Sequence, residues 1–145
     1  MDCIIYLRTS INKNLYEAEE RTRLLGRIDL EPLVPAFGEI QTDEAIITDE
    51  RREHIIERHP QDYDLFLEYG VSAVTQPDIV IKDEKCVGTV FMVKKLADTN
   101  LNVVVRVALS TDKRELKNSV MTSYRLRDRN LKKMLERNEV LYKKE

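Results

Sequence analysis

Only four glycines occur in the 145-residue chain, none near another, so no Gly-rich loop is available to cradle a phosphate on backbone amides. Two cysteines, Cys3 and Cys86, are too few and too far apart to frame a disulfide-stapled fold or a zinc site, and both read as buried thiols. The two histidines, His54 and His59, lack the i, i+4 spacing of a zinc-protease helix, so no metal and no other cofactor is expected. No apolar run approaches the roughly 20 residues that a membrane span requires. Val103–Val105 and Val107–Leu109, for instance, are separated by Arg106. Met1-Asp2-Cys3 does not open a signal peptide, because no basic start precedes a long apolar segment. These absences point to a cytoplasmic protein that does not engage a membrane.

What is present suits one globular domain, with 42% hydrophobic and 34% charged residues. The net charge of −2 hides an asymmetry. Residues 112–145 carry eleven Lys and Arg against six Asp and Glu, leaving thirteen against twenty for residues 1–111. A basic C-terminal segment containing Arg127, Arg129, Lys132 and Lys133 is either a footprint for nucleic acid or the solvated face of a helix.

Periodicity predicts a short strand at Cys3–Leu7 and a helix over Leu15–Leu25 that stops at Gly26. A Pro-containing loop runs from Gly26 to Gly38. Thr48 is a good N-cap, with Asp49 and Glu50 in the first turn, for a helix that breaks before Pro60. A second helix is expected over Gln61–Tyr69, ending at Gly70. Strands follow at Ile79–Lys82, Val87–Leu96, Leu101–Ser110 and Ser119–Leu126, and a last helix at Asp128–Leu141. In Leu101–Ser110, Leu101, Val103, Val105, Val107 and Leu109 share one face, and Asn102, Val104, Arg106, Ala108 and Ser110 share the other. Helices followed by antiparallel strands make an α+β domain. Residues 1–46 read as an N-terminal extension with an extra strand and helix, and residues 47–145 as the main domain with its basic C-terminal helix.

His54-Ile-Ile-Glu-Arg58-His59-Pro60 holds both histidines, the side chains best suited to move protons near neutral pH. A hydroxyl-rich strand, Asn118-Ser-Val-Met-Thr-Ser-Tyr-Arg125, lies downstream. Brought together, the two segments have the parts needed to cleave a phosphodiester. His54 and His59 diverge by about 140° on a straight helix, so both line one site only if the helix ends near Arg58. His59 is either a proton-transfer group or a helix-end cap, and His54 either a site residue or a half-buried histidine. Strict alternation puts Ser119 and Arg125 on one face of the last strand, and Thr122 and Tyr124 on the other, unless a bulge intervenes. Tyr124 is claimed equally by core and site, and Arg106 is either a cleft residue or half of an ion pair.

His54-Ile55-x-x-Arg58-His59-Pro60, Gln76-Pro77-Asp78-Ile79, the Val-rich strand with Arg106 and the run Asn118–Tyr124 together resemble the phage-associated nucleases of the barnase, EndoU, colicin and RelE superfamily. The resemblance spans Ile47 to Leu126. It implies a helical segment packed on a four-stranded antiparallel sheet, with the active site of a metal-independent endoribonuclease on the open face. A base would deprotonate the ribose 2′-hydroxyl, an acid would protonate the leaving 5′-oxygen, and cations would stabilise the charge on phosphorus. In that scheme His59, His54, Arg58, Arg106, Thr122 and Tyr124 are the catalytic candidates. Ser119, Lys94 and Arg125 are candidates for binding substrate. The implied partners are RNA, tRNA included, and an inhibitor or immunity protein. The rival expectation is a non-catalytic module of phage or mobile-element origin that binds nucleic acid or protein through the basic helix.

Overall fold

The Val-rich alternating segment becomes the centre of a mixed seven-stranded sheet. The computed structural model describes residues 21–145, and the strand expected at Cys3–Leu7 and the start of the helix expected at Leu15–Leu25 lie outside the described residues. In chain order the elements are β1 (Thr22–Arg27), α1 (Val34–Phe37), β2 (Glu44–Thr48), α2 (Asp49–Arg58), α3 (Tyr63–Thr75), β3 (Ile79–Lys82), β4 (Thr89–Lys95), β5 (Asn100–Arg106), β6 (Asn118–Leu126), α4 (Asp128–Arg137) and β7 (Val140–Lys143). Among the described residues the strand order is β1-β2-β6-β5-β4-β3-β7, and every pairing is antiparallel except β2 with β6.

The class is α+β, but the expected four-stranded antiparallel sheet is corrected to seven strands with one parallel pair. Three elements account for the difference. β1 occupies residues expected to end a helix, and its register with β2 slips between Leu24 and Gly26. β2 is a short strand whose Ala45 and Ile47 alternate into the core, and the boundary expected after residue 46 falls within it. β7 replaces the last turn expected of the C-terminal helix. Asn138 turns extended, its Nδ2 donates to the Met134 carbonyl at 3.0 Å, and the following residues pair with β3.

α2 begins and ends as its caps dictate. Thr48 Oγ1 accepts from the Arg51 amide at 3.2 Å, and the helix stops at Arg58, because the residue before Pro60 is excluded from helical geometry. α3 runs through Gly70, where its end was expected. A β-carbon there would come within 2.9 Å of the Phe66 ring, so the glycine serves packing rather than termination.

Two apolar layers hold the sheet. On one side Leu101, Val103 and Val105 of β5 pack with Val90 and Met92 of β4 against Ile55 of α2 and Phe66, Ala73 and Val74 of α3. Fully burying each such side chain stabilises the fold by about 1.5–3 kcal/mol before entropy is counted. On the other side Ile79, Ile81, Val93 and Leu126 pack under Leu131, Met134 and Leu135 of α4. Cys86 is buried as expected but is not a free thiol, and Cys3 lies outside the described residues. No helix among the described residues is long and apolar enough to cross a membrane.

β2 meets β6 through two residue pairs only, Ala45 with Asn118 and Ile46 with Ser119. The buried Asn118 side chain reinforces the seam, donating to the carbonyls of Thr42 (2.8 Å) and Glu44 (2.9 Å) and accepting from the Ala108 amide (2.8 Å). Beyond that seam, α2 packs along β6, and Arg51 donates to the Met121 carbonyl at 3.4 Å.

Candidate functional site

The register between β5 and β6 slips at Met121. Val105 pairs with Val120, and Val104, its neighbour, pairs with Thr122, leaving Met121 as the extra residue of a bulge. Val105 and Val120 belong to the core beneath the helices. Ser119, Thr122 and Tyr124 therefore share the opposite face with Asn102, Val104 and Arg106, an arrangement that strict alternation forbids.

That face carries a cleft of about 520 Å³. Its apolar lining comes from Phe91 of β4, Val104 of β5 and Met134 of α4. His59 and Tyr124 line it too, as do Asp83, Glu84 and Lys85 of the β3–β4 turn and Asn130, Lys133 and Arg137 of α4. His59 reaches it because α2 has ended. The His59 and Tyr124 rings stand 5.3 Å apart between centroids, tilted by 39°. The corner that carries His59 is fastened to β6, since Asp62 Oδ2 accepts from the Arg125 amide at 3.0 Å.

Burial lowers the His59 pKa below the ordinary imidazole value; Asp62 opposes the shift and Arg58 reinforces it, so the ring is neutral at pH 7. Burial raises the Tyr124 phenol above its ordinary value, Asn102 opposes this, and Asp83 adds to it. The Asn102 amide donates to the Tyr124 oxygen at 3.0 Å, so the phenolic hydrogen is left to point elsewhere. The cleft thus pairs a neutral imidazole, a proton acceptor, with a protonated phenol, a donor.

The remaining candidates are distributed around this pair. Thr122 is fully buried under the same face, and its Oγ1 has no hydrogen-bond partner among the described residues. Ser119 and Arg106 are paired neighbours near the other end of β6. Arg106 is half of an ion pair, its Nη2 lying 3.0 Å from Asp112 Oδ1, and its Nη1 bonds the Val107 carbonyl; it does not line the cleft. It also lies across Gly88, whose φ of 75° and closeness to the guanidinium both require glycine. His54 is 8% exposed on α2 and outside the cleft, its pKa lowered to about 4 chiefly by burial, then by Arg51, Arg58 and His59. Arg58 is exposed and Arg125 faces Asp62, with Nε 3.8 Å from its carboxylate. Lys94 lies on the opposite side of the sheet, where Nζ donates to the Gln76 carbonyl at 2.8 Å.

Three contributors were not singled out from the sequence. Asn102 was assigned to the right face of its strand but given no role. Phe91 and Arg137 carried no motif, although Arg137 follows Lys133 by four residues on an amphipathic helix, a legible signal. Among the described residues no group of three His, Cys, Asp or Glu side chains is gathered as a metal site. Neither a family model, a curated protein nor a solved structure matches the chain.

Proposed function

We propose that the protein is an endoribonuclease of the phage-associated barnase, EndoU, colicin and RelE type, cleaving RNA by attack of a ribose 2′-hydroxyl without a metal ion. The observation that supports it most is the His59–Tyr124 pair in the cleft, one group neutral and the other protonated at pH 7. His59 takes the 2′-hydroxyl proton as O2′ attacks phosphorus, and the bond to the 5′-oxygen breaks. Tyr124, its oxygen held by Asn102, gives its phenolic proton to the leaving 5′-oxygen, and the proton on His59 then restores the phenol. The products are a 2′,3′-cyclic phosphate and a 5′-hydroxyl. Thr122, Ser119 and Arg106 support the face that carries this pair.

The test is incubation with mixed RNA in EDTA, with end-group analysis of the products. Cyclic phosphate ends, lost in His59→Ala and reduced in Tyr124→Phe, are expected. Cleavage that EDTA abolishes overturns the proposal. So does RNA binding without cleavage, which would identify a binding module on the same fold.

A further inference from the structure

The charged residues of α4 divide between two sides of the helix. Lys133 and Arg137 line the cleft with His59 and Tyr124, whereas Arg129, Lys132 and Glu136 are exposed and do not line it. Positions four apart on a helix place their β-carbons about 5–6 Å from each other, so the two cations form one local patch. No ion pair among the described residues claims either, in contrast to Arg106, Arg125 and Lys94, each of which has a carboxylate within 4 Å.

The helix that presents them is pinned at both ends. Asn100 Nδ2 donates to Asp128 Oδ1 at 2.8 Å. Near the other end the Glu84 amide donates to Asn138 Oδ1 at 3.2 Å, and the Glu139 amide donates to Glu84 Oε1 at 3.2 Å. Leu131 is buried between these anchors. The basic segment is thus a fixed wall, and its two inward cations are placed before any ligand arrives.

We propose that Lys133 and Arg137 anchor a backbone phosphate of single-stranded RNA adjacent to the scissile one, with the attached base resting on the apolar lining of Phe91, Val104 and Met134. The inference rests on the ribonuclease reading and adds its substrate class and phosphate anchor. A cleft of about 520 Å³ accepts one nucleotide unit and not a duplex, and a base reaches its floor only when unpaired and unstacked. Arginine supplies a planar two-pronged donor and lysine a mobile point charge, a combination suited to a phosphate.

The experiment measures affinity for a single-stranded oligoribonucleotide bearing 2′-O-methyl groups, which lacks the attacking hydroxyl, across a range of salt concentrations. Lys133→Gln/Arg137→Gln should weaken binding about tenfold or more, and should flatten the log–log salt slope by about 0.7, the contribution of the one single-strand phosphate that the pair neutralises. Arg129→Gln/Lys132→Gln should change affinity by less than about twofold, and the duplex of the same sequence should bind more weakly to the wild type. All four side chains are exposed, so thermal unfolding should be unchanged, and Lys133→Arg/Arg137→Lys should keep the wild-type slope. Equal losses in the two Gln pairs, no loss in the first pair, or duplex affinity equal to single-strand affinity overturns the inference. Binding that depends on Lys133 and Arg137 without cleavage of ordinary RNA overturns the ribonuclease reading and leaves the anchor standing. Cleavage with unaltered binding by the first pair does the reverse, and a wild type that neither binds nor cleaves overturns both.

Discussion

Val120 and Thr122 stand two residues apart on β6 and face opposite sides of the sheet, because Met121 between them has no partner on β5. The slip sends Val120 into the core and Thr122 and Tyr124 to the opposite face, where Tyr124 lines the cleft and Thr122 is buried. A single extra residue therefore gathers hydroxyl groups that period-two spacing would separate.

Thr122 carries a cost of that placement. Its hydroxyl is fully buried with no hydrogen-bond partner among the described residues, and an unsatisfied buried donor costs about 1–3 kcal/mol. Thr122→Val, which keeps the branched shape, should raise stability by about 1 kcal/mol in urea titrations at pH 7. A loss of stability instead would mean that the hydroxyl has a partner in solution.

His59 sits half-buried just past the end of its helix, so its removal should spare the fold and strike the chemistry. His59→Ala should reduce kcat about 100-fold or more with little change in Tm. Because the neutral ring is favoured, the acidic limb of the wild-type kcat/KM profile should fall below the ordinary imidazole value near 6.5 and disappear in the variant. An unchanged limb in His59→Ala would assign it to another group.

His54 should report on stability rather than turnover. Its folded pKa of about 4 lies below the ordinary 6.5, so the unfolded chain binds the proton more readily, and stability present above pH 6.5 is lost as pH falls toward 4. The loss attributable to this one ring should reach about 3 kcal/mol at the bottom of that window. Urea titrations at pH 7.5 and 4.5 should show a smaller difference for His54→Leu than for the wild type. Equal differences would remove His54 from the acid response.

Legibility in the sequence followed locality. Thr48, the acidic first turn and Pro60 set the limits of α2 from within a dozen residues, and the alternation of β5 named both its faces. The position of His59 followed from the same local rule. β1, β2 and β7 were missed because short strands with exposed or mixed faces acquire their identity from the neighbours they pair with, and those neighbours lie far away in the chain. The bulge at Met121 was foreseeable as a condition for gathering the hydroxyls, not as a fact, since nothing in Val-Met-Thr demands it. Arg106 and Lys94 show the complementary limit. A cation in a strand is legible, but whether a carboxylate or a carbonyl already holds it depends on Asp112 and Gln76, placed by loops.

The narrow seam between β2 and β6 has a kinetic consequence. β3 to β6 follow one another in sequence and can zip together as neighbours, whereas β2 must find a parallel partner some 70 residues away and hold it through two residue pairs and the amide of Asn118. Closing so long a loop is entropically slow, so the β1–β2 hairpin should dock last and open first. Native-state hydrogen exchange should find the amides of Ala45 to Ile47 opening well below the free energy of global unfolding, and Asn118→Ala should widen that gap while leaving the β4–β5 amides unchanged. Uniform protection across both groups would show instead that the seam closes together with the rest of the sheet.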